Sequence, residues 1–335
     1  MRRPAPRSLL AAVVLLLALP SGSHAQTLAL DIAATPIDRF VPTGSARVGA
    51  LEFRGGLVLS AASADFGGWS GMVIDPDGAG FIAVSDRGFW LTGRIESEGD
   101  RPTGIAQAKL APMRAANGGP LAGQRRGDVE SLARIPGGFV VGIERVQEVW
   151  RFDGADPLRA TGRALLLDEG LAKLGSNEGP EALLAPPSGT PAALIVIAEQ
   201  SPDDPSILPG FLFGPLEKPV PTGRFAVERI DGFSATDAAL SDDGLVYLLE
   251  RRFDLLRGAA MRLRRFPLSD IAPGARIRGE VLVEANRSAA IDNMEAIALH
   301  RNAAGEQLIT LMSDDNFSPL QRTLLLRFAV VAEGK

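Results

Sequence analysis

The sequence predicts a single all-β domain of the β-propeller type. One hairpin pattern recurs five times, its apolar runs are rich in Val, Ile, Leu and Phe, and no long stretch has helical periodicity. Each copy has a polar or acidic start, an apolar run, a turn, a second apolar run and a closing acid. The copies align at Gly71, Glu130, Glu181, Asp237 and Glu295.

The spacing of these copies sets the expected number of blades. They lie 51 to 59 residues apart, slightly more than the roughly 40–50 residues of known propeller blades. Their turns carry Pro, Asp, Asn and Gly, the residues that tight connections need. Residues 27–65 hold further strand-like sequence, which we expect to supply outer strands or to close the ring against the C-terminal strand. Because the chain has room for another unit, we expect six blades, with five as the alternative.

The first 25 residues have the pattern of a Sec-type signal peptide. Arg2, Arg3 and Arg7 give a positive start, residues 9–19 are apolar, and small residues precede a cleavage point near Ala25. An uncleaved anchor is the alternative. We therefore expect a mature domain of residues 26–335, periplasmic or secreted. No later stretch is apolar for long enough to predict a transmembrane segment in the mature chain.

Composition excludes several functions. The formal net charge is −5, which does not suit nucleic acid, whose phosphates need clustered Lys and Arg. The chain has no Cys, so it has no disulfide, no thiolate metal site and no Cys nucleophile. We expect a monomer whose partner is a small molecule.

The hairpin pattern predicts where a site would lie. In an antiparallel hairpin the start of the first strand and the end of the second lie side by side. If these hairpins are the inner strands of blades, their open ends meet at one mouth of the central channel, where carboxylates would converge. The candidate metal ligands are Asp86, Glu130, Glu144, Glu178, Glu181, Glu199, Asp237, Glu250, Glu295 and Asp314.

Such a ring of like charges needs compensation. Carboxylates within about 4–6 Å raise one another's pKa and oppose folding unless a cation, an Arg or shared protons balance them. Arg87, Arg145, Arg251 and Arg252 follow acids in the chain and can supply part of this balance. Oxygen ligands without His or Cys suit Ca²⁺ first and Mg²⁺ or Mn²⁺ next. We expect Ca²⁺, and the alternative is that the acids only mark turns and solvated rims.

The absence of other motifs narrows the chemistry. After residue 25 the one histidine is His300, in the turn of the fifth hairpin and so at the far end from the acids. The sequence has no nucleophile elbow, no H-E-x-x-H zinc motif, no phosphate-binding GK[ST] loop and no dinucleotide fingerprint. Carboxylate and metal chemistry remains, in which a cation activates water and a free carboxylate acts as base.

Five motifs in a fixed order carry a family resemblance. They are Ser85-Asp86-Arg87-Gly88, Asp128-Val129-Glu130-Ser131-Leu132, Asn177-Glu178-Gly179-Pro180-Glu181-Ala182-Leu183, Asn293-Met294-Glu295-Ala296-Ile297 and Ser313-Asp314-Asp315-Asn316-Phe317. This set, over roughly residues 55–330, resembles the phytase-like domain family, labelled as having esterase-like activity of phytase. The resemblance implies a β-propeller and suggests phosphoester or ester hydrolysis. The related β-propeller phytases hold several Ca²⁺ ions in a carboxylate-lined mouth.

Three functions are compatible with these observations. The favoured one is a metal-dependent hydrolase of phosphomonoesters or other esters, with Glu130, Glu181, Glu295, Arg87 and Arg145 as its catalytic residues. A calcium-dependent propeller of the lactonase type is the second. The third is a non-catalytic propeller that holds a ligand or a partner in the cell envelope.

Overall fold

The computed structural model describes residues 27–165, 170–175, 177–187, 190, 192–254 and 258–331. The predicted signal peptide lies outside the described residues, so its cleavage stays a prediction. Within the described ranges, none of the helices has the length and apolar character needed to cross a membrane.

Four strands at the start of the described chain join blades that are completed later. They are β1 (Leu28–Ala29), β2 (Ile32–Ile37), β3 (Arg47–Val48) and β4 (Leu51–Ala61). The next strands form blade 1: β5 (Trp69–Ile74), β6 (Gly80–Ser85), β7 (Phe89–Glu98) and β8 (Arg101–Pro112). Blade 2 contains β9 (Arg114–Ala115), β10 (Val129–Ile135), β11 (Gly138–Ile143), β12 (Glu148–Asp153) and β13 (Thr161–Leu165).

The remaining three blades follow the same plan. Blade 3 contains β14 (Pro180–Leu184), β15 (Leu194–Ala198), β16 (Ile207–Phe213) and β17 (Pro221–Glu228). Blade 4 contains β18 (Ser234–Leu240), β19 (Leu245–Asp254), β20 (Gly258–Pro267) and β22 (Glu280–Asn286), while β21 (Arg276–Ile277) pairs with β17 of blade 3. Blade 5 contains β23 (Asn293–Arg301), β24 (Gln307–Asp314) and β25 (Thr323–Val330). Short 3₁₀ helices lie at Ala122–Gln124, Leu171–Lys173 and Leu268–Asp270.

The five sheets are arranged around a central channel. Their first strands, β5, β10, β14, β18 and β23, pack against one another in a closed ring, and each sheet continues outward by antiparallel pairing. This arrangement is a five-bladed β-propeller. It confirms the predicted all-β propeller and selects the alternative of five blades.

The N-terminal strands explain why the expectation of six blades was wrong. β4 pairs antiparallel with β25 and with β2, while β1 pairs with the edge strand β8 of blade 1. Residues 27–61 therefore complete blade 5 and extend blade 1 instead of forming a blade of their own. The expectation that this segment closes the ring is confirmed.

Apolar side chains fill the five junctions between blades. Each of five buried clusters draws its members from two adjacent blades; Trp69 of blade 1 and Met312 of blade 5 share one, and Val84 of blade 1 and Leu132 of blade 2 share another. Burying this surface is the main favourable contribution to folding. The blades are thus held in fixed positions around the channel.

The lower half of the channel holds a cavity of about 210 Å³, lined mainly by aliphatic residues with Arg134 among them. Three consecutive residues from each blade line it, beginning at Met72, Leu132, Leu183, Ala238 and Ile297. Two positions before Leu132, Leu183 and Ile297, nearer the channel mouth, the innermost strands carry Glu130, Glu181 and Glu295.

Candidate metal centre

A β-bulge occurs at the same place in every innermost strand. The pairing of β5 with β6 skips one residue between Trp69 and Gly71, and the other four blades repeat the shift. A bulge redirects a side chain that would otherwise follow the strand's alternation. The residues at this position, here called the bulge ring, are Ser70, Glu130, Glu181, Thr236 and Glu295.

A second set of side chains lies at the end of each second strand. Ser85 is paired with Trp69 at the end of β6, and Asp86 is the next residue. The corresponding residues of the five blades, here called the rim ring, are Asp86, Glu144, Glu199, Arg251 and Asp314. The two rings together bring seven carboxylates and one guanidinium to the channel mouth.

Three carboxylates lie close enough to share a cation. Asp128, which precedes β10, has an oxygen within 4.8 Å of oxygens of both Glu130 and Glu144, and those two are equally close to each other. The exposed Arg145 pairs with Asp128 through its Nε atom. This cluster belongs wholly to blade 2, whose bulge and hairpin end position all three acids.

Arg251 is the main positive charge among the acids. Its Nε atom lies 3.1 Å from Glu295 Oε1 and its Nη2 atom 3.6 Å from Glu199 Oε1. Its Nη1 atom donates a hydrogen bond to Asn293 Oδ1 at 3.0 Å. The negative charge of Glu295, followed by those of Glu199, Glu181 and Glu130, raises the pKa of Arg251 above its already high value. Arg251 is therefore a permanent cation that balances one side of the mouth.

The three glutamates of the bulge ring all have raised pKa values. Burial, followed by the charge of Glu295, raises the pKa of Glu130 well above its ordinary value, and burial and Glu130 do the same to Glu181. Burial also raises the pKa of Glu295 to about 8, although Arg251 opposes the shift. These shifts indicate that protons, a cation or both must accompany the carboxylates.

The acids of the rim ring show the same effect. Burial is the first cause in each case: it raises the pKa of Asp86 to about 7, of Glu144 to about 7 and of Asp314 to about 6. The pKa of Glu199 is raised by burial and lowered again in part by Arg251. In the part of the chain that the structure describes, the buried Oδ1 atom of Asp86 has no hydrogen-bond partner.

These residues fit a hard divalent cation. The donors are all carboxylate oxygens, three of them are already clustered, and the surrounding carboxylates favour a positive ion. Ca²⁺ takes six to eight oxygen ligands, so Asp128, Glu130 and Glu144 would supply part of its shell. The described histidine, His300, lies at the opposite end of β23 from Glu295, which leaves no imidazole for a transition metal at the mouth.

Two predicted ligands lie elsewhere. Both oxygens of Asp237 accept backbone hydrogen bonds, from Ala238 N at 2.8 Å and from Ile297 N at 2.9 Å on the neighbouring blade. Glu250 pairs with Arg264 at 2.5 and 2.7 Å, and both side chains are fully buried within blade 4. The repeat alignment put Asp237 at the bulge of blade 4, but the bulge residue is Thr236. At the rim position of the same blade the residue is Arg251, one residue after Glu250.

Glu178 lies beside the rings. Its Oε2 atom accepts a hydrogen bond from Gly175 N at 2.9 Å, and its charge contributes to the raised pKa of Glu199. The other seven predicted ligands all lie in the two rings. Arg251 was expected to balance the acids, and it pairs with Glu295 and Glu199. Sequence reasoning missed Asp128 as a site residue; the pairing of Glu144 N with Asp128 O at 2.9 Å is the register that would have found it.

A cleft of about 760 Å³ opens beside the three-carboxylate cluster, between blades 1 and 2. Asp86 and Asp128 form its inner wall. The arginines that line it are Arg87, Arg125, Arg126 and Arg145. The cleft therefore places guanidinium groups next to the carboxylates.

Two of these arginines are held by specific contacts. The guanidinium carbon of Arg87 lies 3.2 Å from the centre of the Phe317 ring, a cation–π geometry. Arg126 makes two hydrogen bonds to Glu148, at 2.7 and 2.8 Å. The predicted residues Arg87 and Arg145 thus both lie at this cleft, and Arg125 and Arg126 join them.

Comparison with known proteins identifies the family. The family model Phytase-like, described as "Esterase-like activity of phytase", matches residues 64–317, which is more than half of the 335-residue chain. The chain belongs to the Phytase-like family. The matched range contains every residue of the bulge and rim rings, and it confirms the resemblance in the sequence motifs. No curated protein matches the chain.

The chain is also similar, at low sequence identity, to several solved structures. Myxococcus xanthus glutaminyl cyclase is 12% identical with a TM-score of 0.41, covering 79% of this chain and 92% of that one. A putative gluconolactonase is 12% identical with a TM-score of 0.43, covering 94% and 96%. Cellvibrio cellulosa α-L-arabinanase, solved with arabinohexaose, is 12% identical with a TM-score of 0.44, covering 75% and 89%.

Proposed function

We propose that this Phytase-like propeller is a calcium-dependent hydrolase of phosphomonoesters or other esters. One observation supports this most directly: the cluster of Asp128, Glu130 and Glu144 lies beside a cleft lined by four arginines. A cation held by carboxylates can activate water, and arginines can bind an oxyanion, so together they can support phosphoryl or acyl transfer to water.

The residues divide by role. Asp128, Glu130 and Glu144 hold the cation, which when bound would polarise the phosphoryl or carbonyl oxygen and lower the pKa of a water molecule. Arg87 and Arg145, at the rim of the cleft, hold the anionic part of the substrate by charge and by hydrogen bonds.

Two further glutamates supply acid–base chemistry. In the metal-free protein, burial raises the pKa of Glu295 to about 8 although Arg251 opposes the shift, and a raised pKa suits a proton donor to the departing alkoxide. Glu181 is the corresponding buried carboxyl of blade 3. Water adds to the phosphorus or carbonyl carbon, the bond to the ester oxygen breaks, and the proton lost by water replaces the one given to the alcohol.

The first test is cation binding. Chelator-treated protein is unfolded thermally during titration with Ca²⁺, Mg²⁺ and Mn²⁺, since a ligand of the folded state raises the melting temperature with concentration. We expect a selective Ca²⁺ response that Glu130→Gln abolishes and that Glu98→Gln, an exposed glutamate on β7, retains. No response to any cation would overturn calcium dependence and favour a binding propeller whose acids are balanced by Arg251 and protons.

The second test is turnover. p-Nitrophenyl phosphate and p-nitrophenyl acetate serve as probes, with Ca²⁺ present. Glu130→Gln should lower kcat at least about a hundredfold, the usual scale for loss of a catalytic group, while Glu98→Gln leaves it unchanged. A Ca²⁺ response without hydrolysis of either probe would argue for a binding role or for another substrate such as a lactone.

We also propose that the protein is exported and loses residues 1–25. The observation that supports this is the positive, apolar and small-residue order of the segment. Intact-mass measurement on protein from the periplasm and the medium tests it. A chain that retains its first 25 residues in both fractions would contradict cleavage.

A further inference from the structure

A second polar cavity lies at the opposite end of the propeller from the carboxylate rings. It has a volume of about 600 Å³ and lies at the junction of blades 1 and 5. Its lining includes Ser97, Asp100, His300, Asn302 and Arg327. We call it the lower cavity. None of its residues belongs to the site proposed above.

Arg327 is a buried cation in this cavity. It is 2% exposed, and its guanidinium donates to Thr310 Oγ1 at 3.3 Å, to Ser97 Oγ at 3.1 Å and to Gly78 O at 3.1 Å. All three acceptors are neutral. Within the described ranges no carboxylate oxygen lies within 4.0 Å of it, and its burial lowers its pKa to about 10. A buried charge without an ionic partner is costly.

His300 is the second side chain of interest in the lower cavity, because one of its ring nitrogens lacks a hydrogen bond. The residue is 9% exposed, and its buried Nδ1 atom has no hydrogen-bond partner among the described residues. Burial and the charge of Arg327 lower its pKa to about 4, against the opposing charges of Asp100 and Asp77. The imidazole is therefore neutral at physiological pH and has one N–H to donate.

The other charges that line the cavity already have partners. Arg301 pairs with Asp242 and Asp243 at 2.7 and 2.9 Å. Asp77 accepts hydrogen bonds from Ala79 N and Gly80 N and pairs with Arg94 at 3.2 Å.

Asp100 is likewise engaged. It accepts a hydrogen bond from Asn302 Nδ2 at 2.9 Å, and its Oδ2 atom lies 4.0 Å from Arg54 Nε. The charge of Asp100 partly offsets the effect of burial on the pKa of Arg327, but Arg327 has no direct ion pair and His300 Nδ1 has no hydrogen bond among the described residues. Both groups can donate to an anion.

We propose that the lower cavity binds a small oxyanion, a single carboxylate or phosphate group, between the Arg327 guanidinium and His300 Nδ1–H. A guanidinium matches the two oxygens of such a group. The site is separate from the channel mouth and does not depend on the function proposed there. The proposed anion site lies at the end of the propeller opposite the carboxylate rings.

His300 provides a direct spectroscopic readout. The sequence has two histidines, and the other, His24, lies in the segment predicted to be removed. Protein with isotopically labelled histidine is observed by NMR in the presence of chelator and at constant ionic strength. It is titrated with inorganic phosphate and, separately, with acetate. We expect a saturable shift of the His300 resonances and a higher His300 pKa, because a bound negative charge favours the imidazolium form.

The variants separate binding from a nonspecific salt effect. Arg327→Met should lose the saturable shift, whereas Arg159→Met, at an exposed ion pair of blade 2, should retain it. Arg327→Lys keeps the positive charge but loses the planar set of N–H donors, so it should bind the oxyanion at least about tenfold more weakly. Phosphate-induced thermal stabilisation is measured on the same variants as a second readout. If Arg327→Met folds poorly, Arg327→Lys still tests the role of the guanidinium.

The outcomes are distinguishable. A response to phosphate alone, or to acetate alone, identifies the oxyanion class. A His300 signal that neither probe shifts, or a shift that Arg327→Met and Arg327→Lys both retain in full, overturns the proposal.

Discussion

Glu250 and Arg251 are neighbours in the chain, yet their side chains reach different parts of the molecule. Successive residues of a strand point to opposite faces, so Arg251 joins the acids of the mouth while Glu250 points into blade 4. There Glu250 makes a two-pronged pair with Arg264, and neither side chain is exposed. Arg264 also donates to Arg278 O at 2.5 Å. This pair stabilises one blade and belongs to no site.

Glu250→Gln tests that assignment. Removing one charge from a buried pair leaves the other uncompensated, which costs about 3–5 kcal/mol. We expect the denaturant midpoint to fall accordingly in guanidinium titrations at pH 7, with the response to Ca²⁺ retained. Glu280→Gln, in the exposed pair with Arg265, is the matched control and should change stability by less than about 1 kcal/mol. An unaltered midpoint for Glu250→Gln would mean that the pair is not needed.

Residue types predicted most of the mouth but not its details. The closing acids of four hairpins reach the rim ring, as the pairing of strand ends requires. The fourth hairpin differs because a shift of one residue moves a side chain to the other face, and residue type alone cannot fix the register. The sequence therefore predicted Glu250 where Arg251 lies, and it placed Asp237, a buried acceptor of two backbone N–H groups, among the ligands.

At the scale of the element, the bulge gives the mouth its chemistry. Each bulge places one extra residue in an innermost strand, and in three blades that residue is a glutamate. The hairpin ends add the rim ring. Small residues keep space for these acids: a Cβ on Gly179, at the start of blade 3, would lie 2.6 Å from Cγ of Glu144.

Gly179→Ala tests this requirement for space. Its φ is not in the left-handed region, so the substitution acts by displacing Glu144 and not through backbone strain. The added Cβ would also lie 3.1 Å and 3.2 Å from Cβ and Cα of Glu144, so the end of the hairpin must shift with the side chain. We expect Ca²⁺ affinity to fall about tenfold or more, within the range seen when the groups that orient metal ligands are lost. Calcium titration by calorimetry measures the affinity.

Gly123→Ala is the control for that measurement. Its added Cβ would meet its nearest neighbour, Pro120, at 3.5 Å, an ordinary contact distance. It should leave calcium affinity unchanged. Equal affinity in the wild type and in Gly179→Ala would remove Glu144 from the set of proposed ligands.

The fold was predictable from the repeat, whereas the blade count was not. Five hairpins with one pattern appear in the sequence because each blade must place an apolar pair of strands at the channel. Outer strands have looser requirements, so residues 27–61 carry no copy of the pattern, and their pairing with β25 and β8 depends on contacts between distant parts of the chain. Sequence length alone left room for a sixth blade that the structure does not contain.

At the scale of the whole molecule, the mouth stores electrostatic free energy. The folded state holds Asp314, Asp86 and Glu295 at pKa values of about 6, 7 and 8, while in the unfolded chain such groups ionise near 4. The folded state therefore binds more protons than the unfolded state above about pH 4. When the folded state binds more protons than the unfolded state, the free energy of unfolding falls as pH rises.

His300 acts in the opposite direction over a lower range. Its pKa falls from 6.5 in a model peptide to about 4 in the folded protein, so its contribution to stability is lost as pH falls below about 6.5. Between pH 7 and 8.5 His300 is mostly neutral in both the folded and the unfolded state, so it adds little to the pH dependence of stability. The carboxyls of the mouth, whose pKa values are raised, dominate that dependence.

We therefore expect metal-free protein to lose stability between pH 7 and 8.5, by up to about 1.4 kcal/mol per pH unit for each carboxyl that is still protonated in the folded state. Guanidinium titrations in chelator at several pH values measure this loss. Saturating Ca²⁺ should reduce the slope, because a bound cation favours ionised carboxylates, and the calcium-induced gain in stability should be larger at pH 8.5 than at pH 7. Glu295→Gln should flatten the metal-free slope, since its amide does not titrate. A metal-free slope near zero would mean that Arg251 already balances the mouth, and the case for a cation there would then fail on electrostatic grounds.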